Sequence, residues 1–106
     1  MDLKSLKERL KKYNNKDIII TDHTREQAEV RNIKIEEVIQ NIMHPDKLVF
    51  AEEQKAKHKH EQKYNCYFAY AKDYYHRYIM VLDGKLIIVT IIGINRRWQK
   101  AIEDRR

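Results

Sequence analysis

Hydrophobic residues recur every three to four positions in two stretches of the chain, which is the spacing of an amphipathic helix. In residues 2–13 the apolar stripe is formed by Leu3, Leu6, Leu10 and Tyr13. In residues 35–43 it is formed by Val38, Ile39 and Ile42. We predict a helix over each stretch. Pro45 ends the second one, because the residue before a proline avoids helical angles.

A third helix is predicted between these two, over residues 22–31, from the signals at its ends. Thr21 or Asp22 can accept the unpaired backbone N–H groups of its first turn. Asn32 stands where a left-handed residue commonly closes a helix, a conformation that asparagine tolerates. Residues 22–31 and 35–43 are therefore expected to form a helical pair joined by a tight turn.

β-Branched and aromatic residues dominate four further stretches, which we predict as strands: 18–20, 46–53, 64–71 and 74–94. The last stretch is interrupted by Asp83-Gly84, a pair favoured in two-residue hairpin turns. Such a turn would place Met80 opposite Ile87 and Tyr78 opposite Val89. Because both faces of the final strand are apolar, we expect it to be central in the sheet or covered on both sides.

These elements predict one α+β domain over residues 1–106, with the helical pair and terminal helices packed on an antiparallel sheet of three to four strands. Asn95 is expected to begin a C-terminal helix that carries Trp98 and Ile102 on its inner side. Residues 52–63 hold four lysines, three glutamates and two histidines, so we expect a charged flexible loop there.

The charge balance adds a class of partner to this picture. The formal net charge is +6, and a basic surplus favours contact with phosphate polyanions, because each neutralised phosphate releases counterions. A lysine-rich surface without a ligand gives the same count. The abundant lysine, glutamate and isoleucine and the scarce glycine are typical of a thermophile, and AT-rich coding produces the same bias.

Cys66 is the only cysteine, which excludes an internal disulfide and a zinc site built from cysteines. It stands in an apolar stretch and is interpreted as a small core residue. Residues 1–16 are charged throughout and the apolar runs are too short to span a membrane. We therefore expect a cytoplasmic protein with no membrane partner.

Residues 21–38, TDHTREQAEVRNIKIEEV, carry a more specific pattern. They resemble a small family of prokaryotic and archaeal domains of unknown function, whose pattern is close to S/T-x-H-A-x-x-R-M-x-x-R-G-I-S-x-E-E-V. The matching residues are His23, Arg31, Ile33, Glu36, Glu37 and Val38. Gln27 replaces the middle arginine of the pattern, Asn32 its glycine and Lys34 its serine.

That family is similar to the BrnT toxins and, more distantly, to the RelE-like ribonuclease toxins, in which a helical pair packs on an antiparallel sheet. The resemblance covers about residues 18–94, so residues 1–15 are interpreted as an N-terminal helical extension. It implies a compact RNA-cleaving or RNA-binding scaffold that has an antitoxin protein as its partner.

The first candidate site lies on the predicted helix 22–31. His23, Gln27 and Arg31 are four residues apart and share one flank within an arc of about 80°. An imidazole can move protons near neutral pH, and a guanidinium can hold a phosphate oxygen with two bonds. Together they could activate a ribose 2′-hydroxyl, and Arg25 could add a phosphate contact. The structural alternative is that His23 caps the helix and Arg31 ties it to the fold.

A second candidate site is the stretch DYYHRY, residues 73–78. Alternation places His76 and Tyr78 on one face of a strand and Tyr75 and Arg77 on the other. We assign His76 and Arg77 to catalysis, and Tyr75 and Tyr78 to stacking on unpaired bases. The structural alternative is a sheet whose tyrosines pack along it.

Two further clusters complete the candidates. Arg96, Arg97 and Lys100 crowd the predicted C-terminal helix and could hold phosphates, or simply be solvated. His58 and His60 could clamp a metal, but a solvated loop explains them better, so we predict no metal site and no cofactor.

The leading hypothesis is an RNA-binding protein that acts as a metal-independent endoribonuclease of the toxin–antitoxin type. The alternative is a non-catalytic module that binds nucleic acid or protein on the same scaffold. The apolar strand faces would also suit a homodimer.

Overall fold

The fold consists of three helices and a five-stranded sheet. The computed structural model describes residues 2–72 and 74–95. The helices are α1 (Leu3–Leu10), α2 (Asp22–Val30) and α3 (Ile35–Met43). The strands are β1 (Ile18–Ile20), β2 (Leu48–Gln54), β3 (Gln62–Ala71), β4 (Tyr74–Asp83) and β5 (Lys85–Asn95). Short 3₁₀ turns at Asn15–Asp17 and Pro45–Lys47 lead into β1 and β2. The predicted C-terminal helix, with Trp98, Ile102 and its three candidate cations, lies outside the described residues.

The α+β class is confirmed, but the predicted sheet is wrong in number and in direction. Its order is β1-β5-β4-β3-β2, and β1 pairs in parallel with β5 while the other pairs are antiparallel. Ile18–Ile20 therefore adds an edge strand, whose backbone pairs with the first part of β5. The prediction that the final strand is central is confirmed for Leu86–Ile88, the part paired with β1.

One face of the sheet and the three helices enclose a single core. Side chains from α1, α2 and α3, among them Leu10, Ala28 and Val38, pack against alternate residues of the strands. Cys66 is fully buried in this core, and burial raises the pKa of its thiol to about 12. The thiol is therefore a packing group, as the sequence predicted. Among the described residues no helix is long and apolar enough to cross a membrane.

Helix α1 is part of this core. Leu6 and Leu10 are almost completely buried and contact the same cluster as the sheet residues. The Arg9 guanidinium also donates a hydrogen bond to the side chain of Gln62, at the start of β3. Whatever its origin, the segment interpreted as an extension is structurally integral to the domain.

The ends of α2 follow the sequence signals. Thr21 is its cap, and its hydroxyl accepts a hydrogen bond from the Thr24 N–H at 3.2 Å. Asn32 adopts a φ of 56°, and the Ile33 N–H bonds to the Ala28 carbonyl at 2.8 Å. This arrangement is a Schellman motif, and the prediction of a left-handed Asn32 is confirmed.

The hairpin register predicted for β4 and β5 is wrong by one residue next to the turn. It is wrong by two beyond the irregularity between Ile79 and Met80, where Tyr78 pairs with Ile91 instead of Val89. Gly84 has a φ of 70°, whereas Asp83 does not have a positive φ, so the two-residue turn that needs both is not formed. Met80 instead pairs with Ile88, and Leu82 with Leu86. The shift by one residue turns Leu86 and Ile88 into the core.

The connection between β2 and β3 is shorter than the predicted loop 52–63. Strand β2 extends to Gln54 and β3 begins at Gln62, which leaves residues 55–61. Glu52 belongs to the strand because it pairs with Asn65, whose amide donates to the Glu52 carboxylate at 2.9 Å. That hydrogen bond offsets the low β propensity of glutamate.

Candidate functional site

The predicted flank of α2 exists as a surface feature. His23, Gln27 and Arg31 line one shallow cavity of about 260 Å³, together with Glu26 and Val30. The Gln27 amide lies 3.0 Å from His23 Nε2. One Arg31 nitrogen, Nη1, donates to the Ile91 carbonyl at 2.8 Å, and both His23 and Arg31 are exposed. For Arg31 the geometry combines the two predicted alternatives, because this residue ties the helix to β5 and still faces solvent. The cap predicted as the alternative role of His23 is wrong, since Thr21 caps the helix.

The surroundings of this flank are not basic. Residues 22–47 contain four basic and six acidic side chains, and Arg25 is exposed among Asp22, Glu26 and Glu29. Within residues 22–47, acidic side chains therefore outnumber basic ones, which disfavours a phosphate. The Gln27 side-chain carbonyl oxygen is also buried without a hydrogen-bond partner among the described residues. Turning the amide by 180° would place its NH₂ group there without a partner, so both orientations are unfavourable.

His76 and Tyr78 share one strand face, as predicted, but that face packs against the helices. Tyr78 is fully buried, so the role predicted for it in stacking on RNA bases is wrong. Its hydroxyl accepts a hydrogen bond from the Asn41 amide at 2.9 Å and lies 3.0 Å from His76 Nδ1. Donation of the Tyr78 proton to Nδ1 satisfies both groups, which places the imidazole proton on Nε2.

The same burial sets the protonation of this pair. Desolvation lowers the pKa of His76, an effect that Glu37 opposes and Lys47 reinforces through their charges. Desolvation also raises the pKa of Tyr78 well above its usual value. His76 is only 2% exposed, so it is a neutral buried group and not the accessible acid or base predicted from the sequence.

Arg77 and Tyr75 lie on the opposite face of the sheet. Arg77 Nε donates to the Asn65 side chain at 2.6 Å, and its guanidinium carbon lies 5.9 Å from the centre of the Tyr67 ring. Asn65 in turn donates to Glu52. The predicted phosphate ligand Arg77 is thus held by its own sheet, while Tyr75 is partly buried beside it.

The four residues predicted for catalysis therefore do not converge. His23 and Arg31 lie on α2, eight residues or about 12 Å apart along its axis. His76 lies beneath α3, and Arg77 is on the far face of the sheet. Among the described residues, no group of three or more histidine, cysteine or acidic side chains is placed to hold a metal ion. The candidates Arg96, Arg97 and Lys100 lie outside the part of the chain that the structure describes.

The structure instead gathers cations at one end of the sheet, which the sequence analysis did not identify. The end of α1, the connection 55–61 and the β4–β5 turn meet there, because Gln62 pairs with Leu82 and Arg9 bonds to Gln62. We call this surface the basic end. Its members are Arg9, Lys12, Lys16, Lys55, Lys57, Lys59, Lys63 and Lys85, with His58 and His60.

The cations of the basic end have few internal partners. In residues 2–72 and 74–95 the ion pairs are Lys11 with Glu8 and a long contact of 4.0 Å between Lys85 and Asp17. Residues 55–63 alone contain four lysines and one glutamate. A charge count taken segment by segment indicates this surface, whereas the spacing of histidine and arginine indicates α2.

No known protein family, no curated protein and no solved structure was found to match the chain. The site must therefore be interpreted from its own geometry.

Proposed function

We propose that this protein binds RNA through the basic end, as a non-catalytic module on a scaffold of the RelE/BrnT kind. The choice of RNA over DNA, and of an antitoxin protein as a further partner, rests on the resemblance in residues 21–38. The observation that supports binding is the hydrogen bond between Arg9 and Gln62, which joins the lysines of α1 and of residues 55–61 into one surface.

The chemistry of this surface suits a phosphate chain more than a single small anion. Lysine ammonium groups on long side chains reach phosphates without a fixed geometry, and the exposed connection 55–61 can follow a strand of variable shape. No enclosed pocket is required. Affinity is expected to come mainly from counterion release and to be weakly dependent on sequence.

The test is the salt dependence of binding to a single-stranded RNA labelled with a fluorophore. The triple variant Lys55→Ala/Lys57→Ala/Lys59→Ala should weaken binding. It should also reduce the slope of log affinity against log salt by about two, since each lost phosphate contact on a single strand contributes about 0.7. Duplex DNA of equal length serves as the comparison ligand.

A matched control removes the same charge elsewhere. The triple variant Lys34→Ala/Lys47→Ala/Lys72→Ala loses three exposed cations outside the basic end and should keep the wild-type slope. Equal losses in both triple variants would mean that net charge alone attracts RNA, and the basic end would not be the interface.

Cleavage is a second candidate function, favoured by the cavity that His23 and Arg31 share. Incubation of RNA with the protein in EDTA separates the two functions. Intact RNA after incubation supports a binding module. RNA degradation that is lost in His23→Ala, but retained in the control His44→Ala, would replace the proposal with a metal-independent nuclease.

A further inference from the structure

A second groove lies at the end of the sheet opposite the basic end. It has a volume of about 320 Å³ and lies between α3 and the C-terminal end of β3. We call it the acidic groove, and the described residues that line it are Glu36, Glu37, Gln40, Asn41, Lys47 and Tyr70. None of these side chains was a candidate in the sequence analysis, and the proposed RNA interface does not use them.

Tyr70 gives the groove a rigid aromatic wall. Its ring stacks on the His76 imidazole, with 4.2 Å between centroids and 16° between planes, and meets the edge of Tyr74 at 6.0 Å. Tyr70 is nevertheless 47% exposed. Gly93 leaves the space that the Tyr74 ring occupies, since an added Cβ there would lie 1.9 Å from the Tyr74 hydroxyl. Because the Tyr70 ring is already fixed by its neighbours, it loses little conformational entropy when a ligand stacks on it.

His76 forms the back of this wall. It is 98% buried, and its Nδ1 lies 3.0 Å from the Tyr78 hydroxyl. Glu37 and Lys47, both in the groove, act on the imidazole through their charges, so the ring lies close behind the groove. His76 therefore holds the Tyr70 ring from behind, while 47% of Tyr70 stays exposed to a ligand.

The charge of the acidic groove determines whether a cationic or an anionic ligand is favoured. Two carboxylates and one ammonium group line it, and neither Glu36 nor Glu37 forms an ion pair within the described residues. Both glutamates lie in the first turn of α3, where the helix dipole accounts for their presence but not for the aromatic wall facing them. A cationic ligand is therefore favoured and a polyanion is disfavoured.

We propose that the acidic groove binds an arginine side chain of a basic protein partner. A guanidinium is planar, so it can stack on the Tyr70 ring while its N–H groups bond to the Glu36 and Glu37 carboxylates. The Gln40 and Asn41 amides offer carbonyl oxygens for the remaining donors. A lysine would keep the charge but lose the planar stacking.

A nucleotide is the competing ligand for the same groove. Its base could stack on Tyr70 and bond to the amides of Gln40 and Asn41, with Lys47 near its phosphate. The phosphate would then lie beside two carboxylates, which is electrostatically unfavourable. The proposal therefore favours arginine and makes nucleotide binding one outcome of the test.

The test uses four probes on the full chain: the peptide acetyl-Gly-Arg-Gly-amide, its lysine and citrulline counterparts, and uridine monophosphate. Binding is followed by NMR through the side-chain amide signals of Asn41 and Gln40 and the ring signals of Tyr70. The arginine peptide should bind in the millimolar range and the lysine peptide more weakly. Citrulline, which has the shape of arginine without its charge, should not bind.

Variants then assign the contacts. Glu36→Gln/Glu37→Gln should weaken the arginine peptide by about tenfold or more, and Tyr70→Leu by about two- to fivefold. The control Glu26→Gln/Glu29→Gln removes the same charge from α2 and should change nothing. Bound arginine should also lower the pKa of His76 further, because it neutralises the nearby Glu37, which a merely structural role would not produce.

Three results would overturn the proposal: equal binding of arginine and citrulline peptides, tighter binding of uridine monophosphate at these signals, or no shift with any probe. This test does not depend on RNA binding at the basic end. Failure of one proposal therefore leaves the other standing.

Discussion

At the scale of the residue, His76 is a buried group whose pKa is changed by folding. Burial lowers its pKa below the ordinary value of 6.5, so the folded chain holds this proton less readily than the unfolded chain does. Above pH 6.5, protonation of His76 therefore does not reduce the free energy of unfolding. The free energy of unfolding falls as the pH drops from 6.5 toward the pKa of His76 in the folded chain. In this range His76 binds a proton in the unfolded chain and stays neutral in the folded chain.

The measurement is urea unfolding of the wild type and of His76→Phe between pH 7.5 and 5. Phenylalanine keeps a ring against Tyr70 and removes the titration. The wild type should lose stability relative to the variant as the pH falls, with a slope of at most about 1.4 kcal/mol per pH unit, since one proton is involved. A constant difference between the two proteins would show that His76 does not titrate on unfolding.

Residue roles were predictable where they depend on near neighbours in the sequence. The left-handed Asn32, the Thr21 cap and the packing of Cys66 each follow from a local rule and agree with the structure. Whether the side chains of His76 and Arg77 are buried or exposed depends on which sheet face packs against the helices. Alternation gave the pairing of faces but not which of them is buried, so their roles could not be derived.

At the scale of the element, the start of α3 lacks a side-chain cap. Lys34 occupies the cap position and makes no side-chain hydrogen bond to the helix. Replacing it with serine would supply an acceptor three residues before Glu37, the spacing of a capping box. We expect Lys34→Ser to raise the free energy of unfolding by about 1 kcal/mol, the usual value of such a cap.

Thermal and urea unfolding check this, with Lys34→Ala as the control that removes the lysine without adding a cap. Equal stability of the serine and alanine variants would mean that the α3 amide groups are satisfied in another way.

Helix α1 supplies a sharper prediction, because the segment interpreted as an N-terminal extension packs in the common core. Leu10 is fully buried in the common core, so Leu10→Ala should cost about 2–5 kcal/mol, a large part of the stability of a small domain. Its neighbour Lys11 is exposed, and Lys11→Ala should stay within about 0.5 kcal/mol of the wild type. A loss below about 1 kcal/mol in Leu10→Ala would mean that α1 is not cooperative with the sheet.

Elements with strong local signals were predictable, and their partners were not. The three helices and most of the strands were located from periodicity and end signals. Ile18–Ile20 was recognised as a strand, but its parallel pairing with β5 is a long-range contact that no local pattern encodes. The hairpin register failed for a related reason, since the backbone at Asp83 follows the burial of Leu86 and Ile88 rather than the turn dipeptide.

At the scale of the whole molecule, charge is separated along the strands of the sheet. The lysines gather where β3 begins and the acidic groove lies where β3 ends, and ten strand residues span about 30 Å. Neither the composition nor the net charge contains this separation, because it arises from the topology that brings α1, residues 55–61 and the β4–β5 turn together. The net charge of +6 indicates a basic protein, whereas the position of the described cations depends on this topology. The predicted cations Arg96, Arg97 and Lys100 lie outside the described residues.

The same separation predicts that the two proposed ligands bind independently. The Debye length is about 8 Å at physiological ionic strength, so the charge of a ligand at one end is screened before it reaches the other. Saturating RNA should change the affinity for the arginine peptide by less than about twofold, and by linkage the reverse holds. Titration of the peptide with and without RNA measures this, and Lys55→Ala/Lys57→Ala/Lys59→Ala should bind the peptide as the wild type does. Strong competition between the ligands would mean that both use one surface, and the proposal of two separate binding surfaces would have to be abandoned.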